Sequence, residues 1–392
     1  MKKCVIVGVT SSIAAYKSVQ LVSDLIKNDI DVEVVMSKNA TNFITPLTFS
    51  SLTKHKTYVD TFERNTDFQV EHIALADKAD AFIVAPASAN IIAKAANGIA
   101  DDMLSTTLLA CNCPKILAPA MNTKMYNNPI TQDNLAKLKG YGFKIVEPLS
   151  GRLACGDTGI GKLASIDMLI DALNDALSPK TLTGLKVLIS AGATLESLDP
   201  VRYITNHSSG KQGYALAKAA RNMGASVTLV SGRTNLDVIS GINTIHVTSA
   251  AQMAETIIGL SPQQDVIIMA AAVADFTVDS VPQKIKKNNQ PLTIQLKPTT
   301  DILATLGATR RDDQIIIGFA MESENLLANA RQKLVSKKCD MIVANSIALA
   351  GSGFGVDTNI ATLITPKREI ELAKMSKDDL AVKIMEWVAK SC

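Results

Sequence analysis

The sequence predicts an α/β chain made of two Rossmann-like units. Short β-branched runs alternate with helical stretches, the pattern of parallel sheets with crossover helices. The alternation pauses at SPKTLTGLK (residues 178–186), a polar stretch holding Pro179 and Gly184, and restarts with KVLISAG at Lys186. A length of 392 residues leaves room for two or three domains at roughly 150 residues each.

Taken in order, the first unit's strands are expected at Cys4–Thr10, Val32–Met36, Ala81–Ala87, Lys115–Ala120 and Phe143–Glu147. Its helices are expected at Ile13–Lys27, Ala89–Ala96, Asp102–Cys111, Ile130–Lys139 and Ile166–Ala176. A boundary falls near residue 180, giving units 1–180 and 181–392. The second unit's strands are expected at Lys186–Gly192, Ser226–Val230, Ile242–Val247, Asp265–Ala270, Gln314–Phe319 and Met341–Ala344. Helices follow at Gly213–Met223, Ala250–Gly259, Asp301–Thr309 and Asn325–Ser336, then a hairpin over Ala361–Leu372 and a closing helix over Leu380–Lys390. Neither unit carries a full G-x-G-x-x-G, and the fold alone names no reaction.

Composition narrows the setting. The chain is 47% hydrophobic and 20% charged, with a net charge of +3, too small to argue for nucleic acid or a membrane surface. The basic, apolar start MKKCVIVGVTSSIAAYK breaks at Gly8 and turns into a polar helix start, so it reads as a first strand rather than a signal peptide. No apolar stretch is long enough to span a bilayer. The six cysteines are scattered, and Cys111-x-Cys113 lacks zinc-ligand spacing. A reducing cytoplasm is the simplest location.

In the first unit three segments should meet at the carboxyl ends of the strands, where such folds bind ligands. The turn Gly8-Val9-Thr10-Ser11-Ser12 suits a phosphate at a helix N-terminus, or simply an N-cap. APASANIIAKAANGIADDML (Ala85–Leu104) offers small side chains for a flat ligand or for tight helix packing. In APAMNTKMYNNP (Ala118–Pro129), Asn122 either caps a turn or pairs with a substrate carboxylate. His72, in VEHIALADKAD, precedes a helical run and is structural or catalytic. GRLACGDTGIGKL (Gly151–Leu163) places Cys155 in a glycine-rich loop, as a filler or as a presented thiol, and its GIGK fails the Walker spacing.

In this order GVTSSIAAYK, EHIALA, PASANIIAKAANGIADD, PAMNTKMY and ACGDTGIGKL resemble the FMN-binding phosphopantothenoylcysteine decarboxylases over nearly all of residues 1–175. Ser11 stands where that family commonly has glycine. The resemblance implies FMN held by Gly8, Thr10, Ser12, Ser37, Ser88, Asn90, Thr106 and Met121. It implies that FMN oxidises the substrate's cysteinyl thiol to a thioaldehyde, after which CO2 is lost. His72 would then be base or positioning group, Asn122 would hold the carboxylate, and Cys155 on a closing loop would donate the proton. The glycines around Cys155 are expected to serve as hinges of that loop.

In the second unit, AGATLESLDPVRYITNHSSGKQGYALAKAA (Ala191–Ala220) ends a strand and opens a helix with Ser208, Ser209 and Lys211, which suits a phosphate or a serine cap. MAAAVADF (Met269–Phe276) ends a buried strand near Asp275, KIKKNN (Lys284–Asn289) is a short basic run, and Lys333 and Lys337 stand four apart on one helical face. With Asn206, these motifs resemble phosphopantothenate–cysteine ligase over nearly the whole unit. A departure is Thr299-Thr300 before Asp301-Ile302, where relatives often have proline. The resemblance implies CTP with Mg2+ as activator of 4′-phosphopantothenate and L-cysteine as acceptor. It implies Asn206 on the acyl oxygen, Lys284 on developing charge, and Asp275 on the cytidine. CTP would further meet Met269, Ala270, Ala271, Thr300, Asp301, Ile302, Phe319, Lys333 and Lys337, while the Mg2+ ligands are not singled out.

The order decarboxylase then ligase is that of the fused bacterial coenzyme A biosynthesis proteins. Two alternatives are a prenyl-transferring flavoprotein joined to a nucleotide-binding domain and a non-catalytic flavoprotein regulator. Cys155 with PAMN speaks against the first, and intact His72, Asn122 and Cys155 against the second. Relatives of the two units form trimers and dimers, which implies a homo-oligomer, a dodecamer in the simplest combination.

Overall fold

A computed structural model describes residues 2–62, 70–154, 156–286, 292–322, 325–346 and 356–392. The chain divides into two compact units, Met1–Ser178 and Pro179–Cys392.

The first unit is built on a six-stranded parallel sheet. Its spatial order is Thr57–Tyr58, Asp31–Met36, Cys4–Val9, Ala81–Ala87, Lys115–Pro119 and Lys144–Ile145. The run CVIVGV is buried throughout and feeds both faces of the sheet. Val5, Val7 and Val9 pack in the layer holding Leu21, Leu25 and Leu169, while Ile6 joins the opposite layer with Phe82, Ile92 and Leu104. This period-two division is that of a strand covered by helices on both sides, and each large side chain so buried contributes about 1.5–3 kcal/mol. Successive strands build outward in opposite directions from Cys4–Val9 and Ala81–Ala87, so a crevice opens at the carboxyl ends of this pair.

The second unit repeats the plan with eight strands. Their order is Asn243–His246, Ser226–Ser231, Lys186–Ala191, Val266–Met269, Ile315–Glu322, Met341–Ser346, Ala361–Ile364 and Glu369–Glu371. The first six are parallel, and the last two form the expected hairpin, added antiparallel at the edge. Helices Lys211–Asn222 and Lys377–Ser391 pack together on one face. Helices Ala250–Leu260, Ile302–Thr309 and Leu326–Ser336 cover the other. The reversal falls between Lys186–Ala191 and Val266–Met269, again defining a crevice at their carboxyl ends.

The expected strands and helices are present with ends shifted by a few residues, and several elements are additional. Helix Pro46–Thr53 starts on its proline and lacks a regular apolar stripe. Helix Glu71–Lys78 includes His72, which therefore sits in a first turn rather than ahead of the helix. Residues Leu149–Arg152 and Thr158–Lys162 form an antiparallel hairpin where the glycine-rich sequence suggests only a loop.

Candidate active sites

In the first unit, the turn after Cys4–Val9 is fixed by Thr10. This side chain is 1% exposed, donates to Pro86 O at 2.7 Å and accepts from Ser88 N at 2.9 Å. It thus ties together the two strand ends that flank the crevice. Helix Ala15–Lys27 begins without a side-chain cap, because Ser12 Oγ receives Ala14 N instead. The turn is closed instead by its own backbone, Ala15 N donating to Ser12 O and Lys17 N to Ala14 O. Burial and the neighbouring Lys162 ammonium hold Lys17 on this helix below its usual range, the electrostatics of a place that lacks negative charge.

Gly8 lies inside the strand, and a Cβ there would stand 2.8 Å from Leu104 Cδ1 and 3.1 Å from Phe82. Its lack of a side chain is thus required by packing. Ser88 caps helix Ala89–Asn97 through Ile91 N, Asn90 is exposed on that helix, and half-buried Thr106 donates to Ala100 O. Ser37 follows Asp31–Met36, its backbone N–H bonded to Val9 O, and its Oγ is buried without a partner. Thr123 Oγ1 is likewise buried and unpaired. Orphaned buried hydroxyls are rare and call for a ligand or water. The Ser37 hydroxyl therefore fits a polar group of a bound flavin, and Thr123 is a polar group the sequence did not single out.

Asn122 caps helix Thr123–Tyr126, its Oδ1 receiving Lys124 N at 2.8 Å. The hairpin docks on this turn: Met121 N donates to Gly161 O at 3.0 Å. Two glycines permit the approach. A Cβ on Gly161, where φ is +141°, would lie 2.1 Å from Met121 O, and one on Gly159 would lie 2.5 Å from Thr123 Oγ1. Gly159 and Gly161 serve close packing, whereas Gly151 at φ +155° and Gly156 at φ +93°, which bracket Cys155, have room around them and take positive φ. Cys155 lies outside the described residues, but its flanks are fixed by Gly156 N on Leu153 O and Leu153 N on Asp157 O. The structure thus brings the arms of the Cys155 loop against the Asn122 turn. His72 is half-buried on helix Glu71–Lys78, which packs on the Thr106 helix.

In the second unit, three turns converge at the carboxyl edge. A Cβ on Gly192 would meet Arg233 O at 2.9 Å, and one on Gly210 would meet Thr234 Oγ1 at 3.2 Å. Asn206 joins a fourth: its Nδ2 donates to Ala272 O at 2.7 Å while its Oδ1 accepts from Ser208 N. Ala271 N in turn donates to Ser190 Oγ, fixing the segment that follows Met269 and Ala270. Helix Lys211–Asn222 starts at Gly210 with no side-chain cap, so neither Ser208 nor Ser209 caps it and its N-terminal groups remain available to phosphate.

Thr299 ties two further nucleotide segments together, donating from N to Asp275 O and from Oγ1 to Ala274 O. Asp275 is exposed. Thr300 leads into Asp301, which caps the helix beginning at Ile302 through Ala304 N. Lys337 donates to Asp301 Oδ2 at 2.5 Å, and Lys333 to Phe319 O at 2.9 Å. Burial opposes charge on Asp301, but the Lys337 bond prevails and lowers its pKa. Lys333 lies on the helix and Lys337 just past its end, both half-buried and each engaged by one of the nucleotide segments expected from the sequence. Lys284 is exposed, while residues 287–291 of its basic run lie outside the described residues. Among the described residues, Asp31, Glu33 and His55 gather in metal-ligating geometry in the first unit. Lys78 already ties Asp31 at 2.8 Å and Glu33 at 2.6 Å, so this cluster is not the Mg2+ site expected beside a nucleotide.

Comparison with known proteins adds the family. Residues 1–178 match a family described as flavoprotein, and residues 182–392 match the DNA/pantothenate metabolism flavoprotein C-terminal domain. The coenzyme A biosynthesis bifunctional protein CoaBC of Bacillus subtilis (strain 168) is 44% identical over 393 residues, covering 98% of this chain and 96% of its own. The chain belongs to this bifunctional coenzyme A biosynthesis family. The family member from Vibrio parahaemolyticus is 41% identical over 387 residues, 98% of this chain and 97% of its own. A cysteine/cysteine sulfinic acid decarboxylase from an unknown prokaryotic organism is 43% identical over 353 residues, 88% of this chain and 98% of its own. The two crevices are thus those of a two-unit enzyme, the first a flavoprotein. No helix among the described residues is long and apolar enough to cross a membrane.

Proposed function

We propose that the second unit joins L-cysteine to 4′-phosphopantothenate using CTP, and that the first decarboxylates the 4′-phosphopantothenoylcysteine so formed to 4′-phosphopantetheine. The observation that carries this reading is the full-length relationship to the bifunctional family, with both domains in one chain and in that order.

In the ligase, the substrate carboxylate displaces pyrophosphate from CTP to give an acyl-cytidylate. The cysteine amine then attacks the acyl carbon and CMP leaves. The uncapped start of helix Lys211–Asn222 and Lys333 supply positive potential for the phosphates. Mg2+ would be carried mainly by those phosphates and water, as is usual for this ion. Asn206, one of whose amide hydrogens goes to Ala272 O, would donate the other to the acyl oxygen. Lys284 offsets the negative charge that grows on the acyl and phosphoryl oxygens. Asp275, Phe319 and the Thr300–Ile302 segment cradle the nucleoside.

In the decarboxylase, bound FMN supplies the two-electron oxidation of the cysteinyl thiol and the matching reduction that ends turnover. Ser12, Ser37, Ser88, Asn90, Thr106 and Met121 would line its place, with buried Thr10 holding the turn beside them. The Asn122 carboxamide binds the carboxylate that departs as CO2, His72 orients or deprotonates the thiol, and Cys155 returns a proton to carbon.

A cytoplasmic homo-oligomer, a dodecamer if trimers and dimers combine, belongs to the same reading. Exposed Ile13, Tyr16, Phe43 and Leu47 on or beside the packed helices Ala15–Lys27 and Pro46–Thr53 support it. A second reading, decarboxylation of free cysteine, is favoured by the cysteine decarboxylase relative. The test is Lys284→Gln. Ligation should fall by about 10²–10³, the worth of one well-placed electrostatic donor, while decarboxylation of supplied 4′-phosphopantothenoylcysteine is unchanged. Ligation at the parental rate would remove Lys284 from the site.

A further inference from the structure

The acidic loop before Asn206 contains a buried carboxylate that the mechanism above does not use. The Asp199 side chain is 0% exposed. Its Oδ1 accepts Val201 N and Arg202 N, each at 2.8 Å, which closes the turn. Its Oδ2 accepts Arg202 Nε at 3.0 Å, Arg202 Nη2 at 2.6 Å and Ile285 N at 3.1 Å. Arg202 Nη2 also donates to Ile285 O at 2.6 Å. The ion pair therefore clasps both backbone groups of one residue 86 positions away. That residue is the immediate neighbour of Lys284. Four residues earlier, Val281 N donates to Leu198 O at 3.0 Å, so the strap is pinned at two points on the same loop.

An ion pair whose carboxylate is buried and whose guanidinium is partly exposed is a weak device for stability alone, because desolvation and solvent screening offset most of its attraction. This pair does something more specific: it fixes the backbone that carries an exposed lysine. Arg202 also leads through Tyr203 and Ile204 into Asn206, so the same loop sets both residues proposed to meet the acyl group. We propose that Asp199 is a positioning residue of the ligase, holding the Lys284 strap against the Asn206 loop so that the ammonium is preorganised for acyl transfer. The assignment rests on the ligase reading of Lys284. Consistent with it, the Arg202 guanidinium holds the Asp199 carboxyl well below the usual carboxylate range, so the clasp is charged throughout the working pH range.

The test is Asp199→Asn in the full chain. Asn keeps the size and an oxygen for the turn N–H groups. Its NH2 faces the Arg202 and Ile285 donors, so the clasp opens. Amide exchange at Ile285 should quicken by about tenfold or more, while amides of Lys186–Ala191 and Val266–Met269 keep their protection. Ligation kcat should fall by about 10–100-fold, since a displacement of about an ångström costs that order in rate. The deciding measurement is the double variant Asp199→Asn with Lys284→Gln. If Asp199 acts through Lys284, the pair ligates no more slowly than Lys284→Gln alone, within about threefold. Additive losses would overturn the proposal, as would unchanged exchange at Ile285. Lost protection across the central strands would overturn it too, by showing that Asp199 holds the fold instead. A parental rate for Lys284→Gln alone would instead sink the ligase role of Lys284 and leave the exchange result standing.

Discussion

Gly161→Ala should cripple the decarboxylase by prising its cysteine-bearing hairpin off the Asn122 turn. The added Cβ would sit 2.1 Å from Met121 O, where ordinary contact begins at 3.4 Å. The obstacle is backbone, so no side-chain rotation relieves it. At φ +141° the alanine is also strained in place. Retreat of the hairpin breaks the bond from Met121 N to Gly161 O. Backbone strain of about 1–3 kcal/mol and a lost hydrogen bond of about 0.5–1.5 kcal/mol sum to about 1.5–4.5 kcal/mol. A shift of about an ångström in a proton donor costs on the order of 10² in rate. The assay is CO2 release from supplied 4′-phosphopantothenoylcysteine, with ligation measured on the same preparation. Decarboxylation should fall about 100-fold and ligation should hold. Gly159→Ala is the internal control. Its clash at 2.5 Å is with Thr123 Oγ1, which can rotate, and its φ is not positive, so its loss should be about tenfold or less. Parental decarboxylation by Gly161→Ala, or equal losses from both variants, would refute the docking argument.

Three further outcomes are expected. Asn122→Asp keeps the cap on helix Thr123–Tyr126, since aspartate caps as well as asparagine, but sets a carboxylate against the substrate's own; decarboxylation should collapse with the thermal midpoint nearly unchanged, and a large drop in that midpoint would contradict this. Cys155→Ser should still release CO2 while an enethiol, two electrons more oxidised than 4′-phosphopantetheine, accumulates, because a hydroxyl is a far weaker acid than a thiol; mass spectrometry showing normal 4′-phosphopantetheine output would remove Cys155 from proton donation. Alkylation of the native protein near pH 8 should mark Cys113 before Cys4 and Cys339. Burial pushes each of those two thiols up to about 12, whereas a hydrogen bond from Cys111 favours the Cys113 thiolate, and equal labelling would refute this ordering.

Much of the scaffold was legible because burial on both faces writes itself as β-branched runs such as CVIVGV and DVEVVM. What escaped depends on contacts between distant segments. The hairpin around Cys155 is rich in glycine and poor in strand formers, and it forms against Met121 and Thr123. Gly8 reads locally as part of a phosphate turn, yet Leu104, 96 positions on in sequence, decides that it is glycine. Ser208 and Ser209 look like caps, but the helix starts at Gly210 in a left-handed conformation that leaves both unused. Asp199 carries no motif signal at all; its meaning comes from Ile285. Candidate chemistry was legible as residue types in order, while the groups that position them were not.

The account stands or falls on where CO2 from cysteine comes from. The purified protein is incubated with carboxyl-labelled L-cysteine, 4′-phosphopantothenate, CTP and Mg2+, and labelled CO2 is followed with and without CTP. Ligation before decarboxylation predicts CO2 only when CTP and 4′-phosphopantothenate are both present, one CMP appearing for each CO2. Labelled CO2 at the same rate without CTP would show decarboxylation of free cysteine and contradict the two-step assignment.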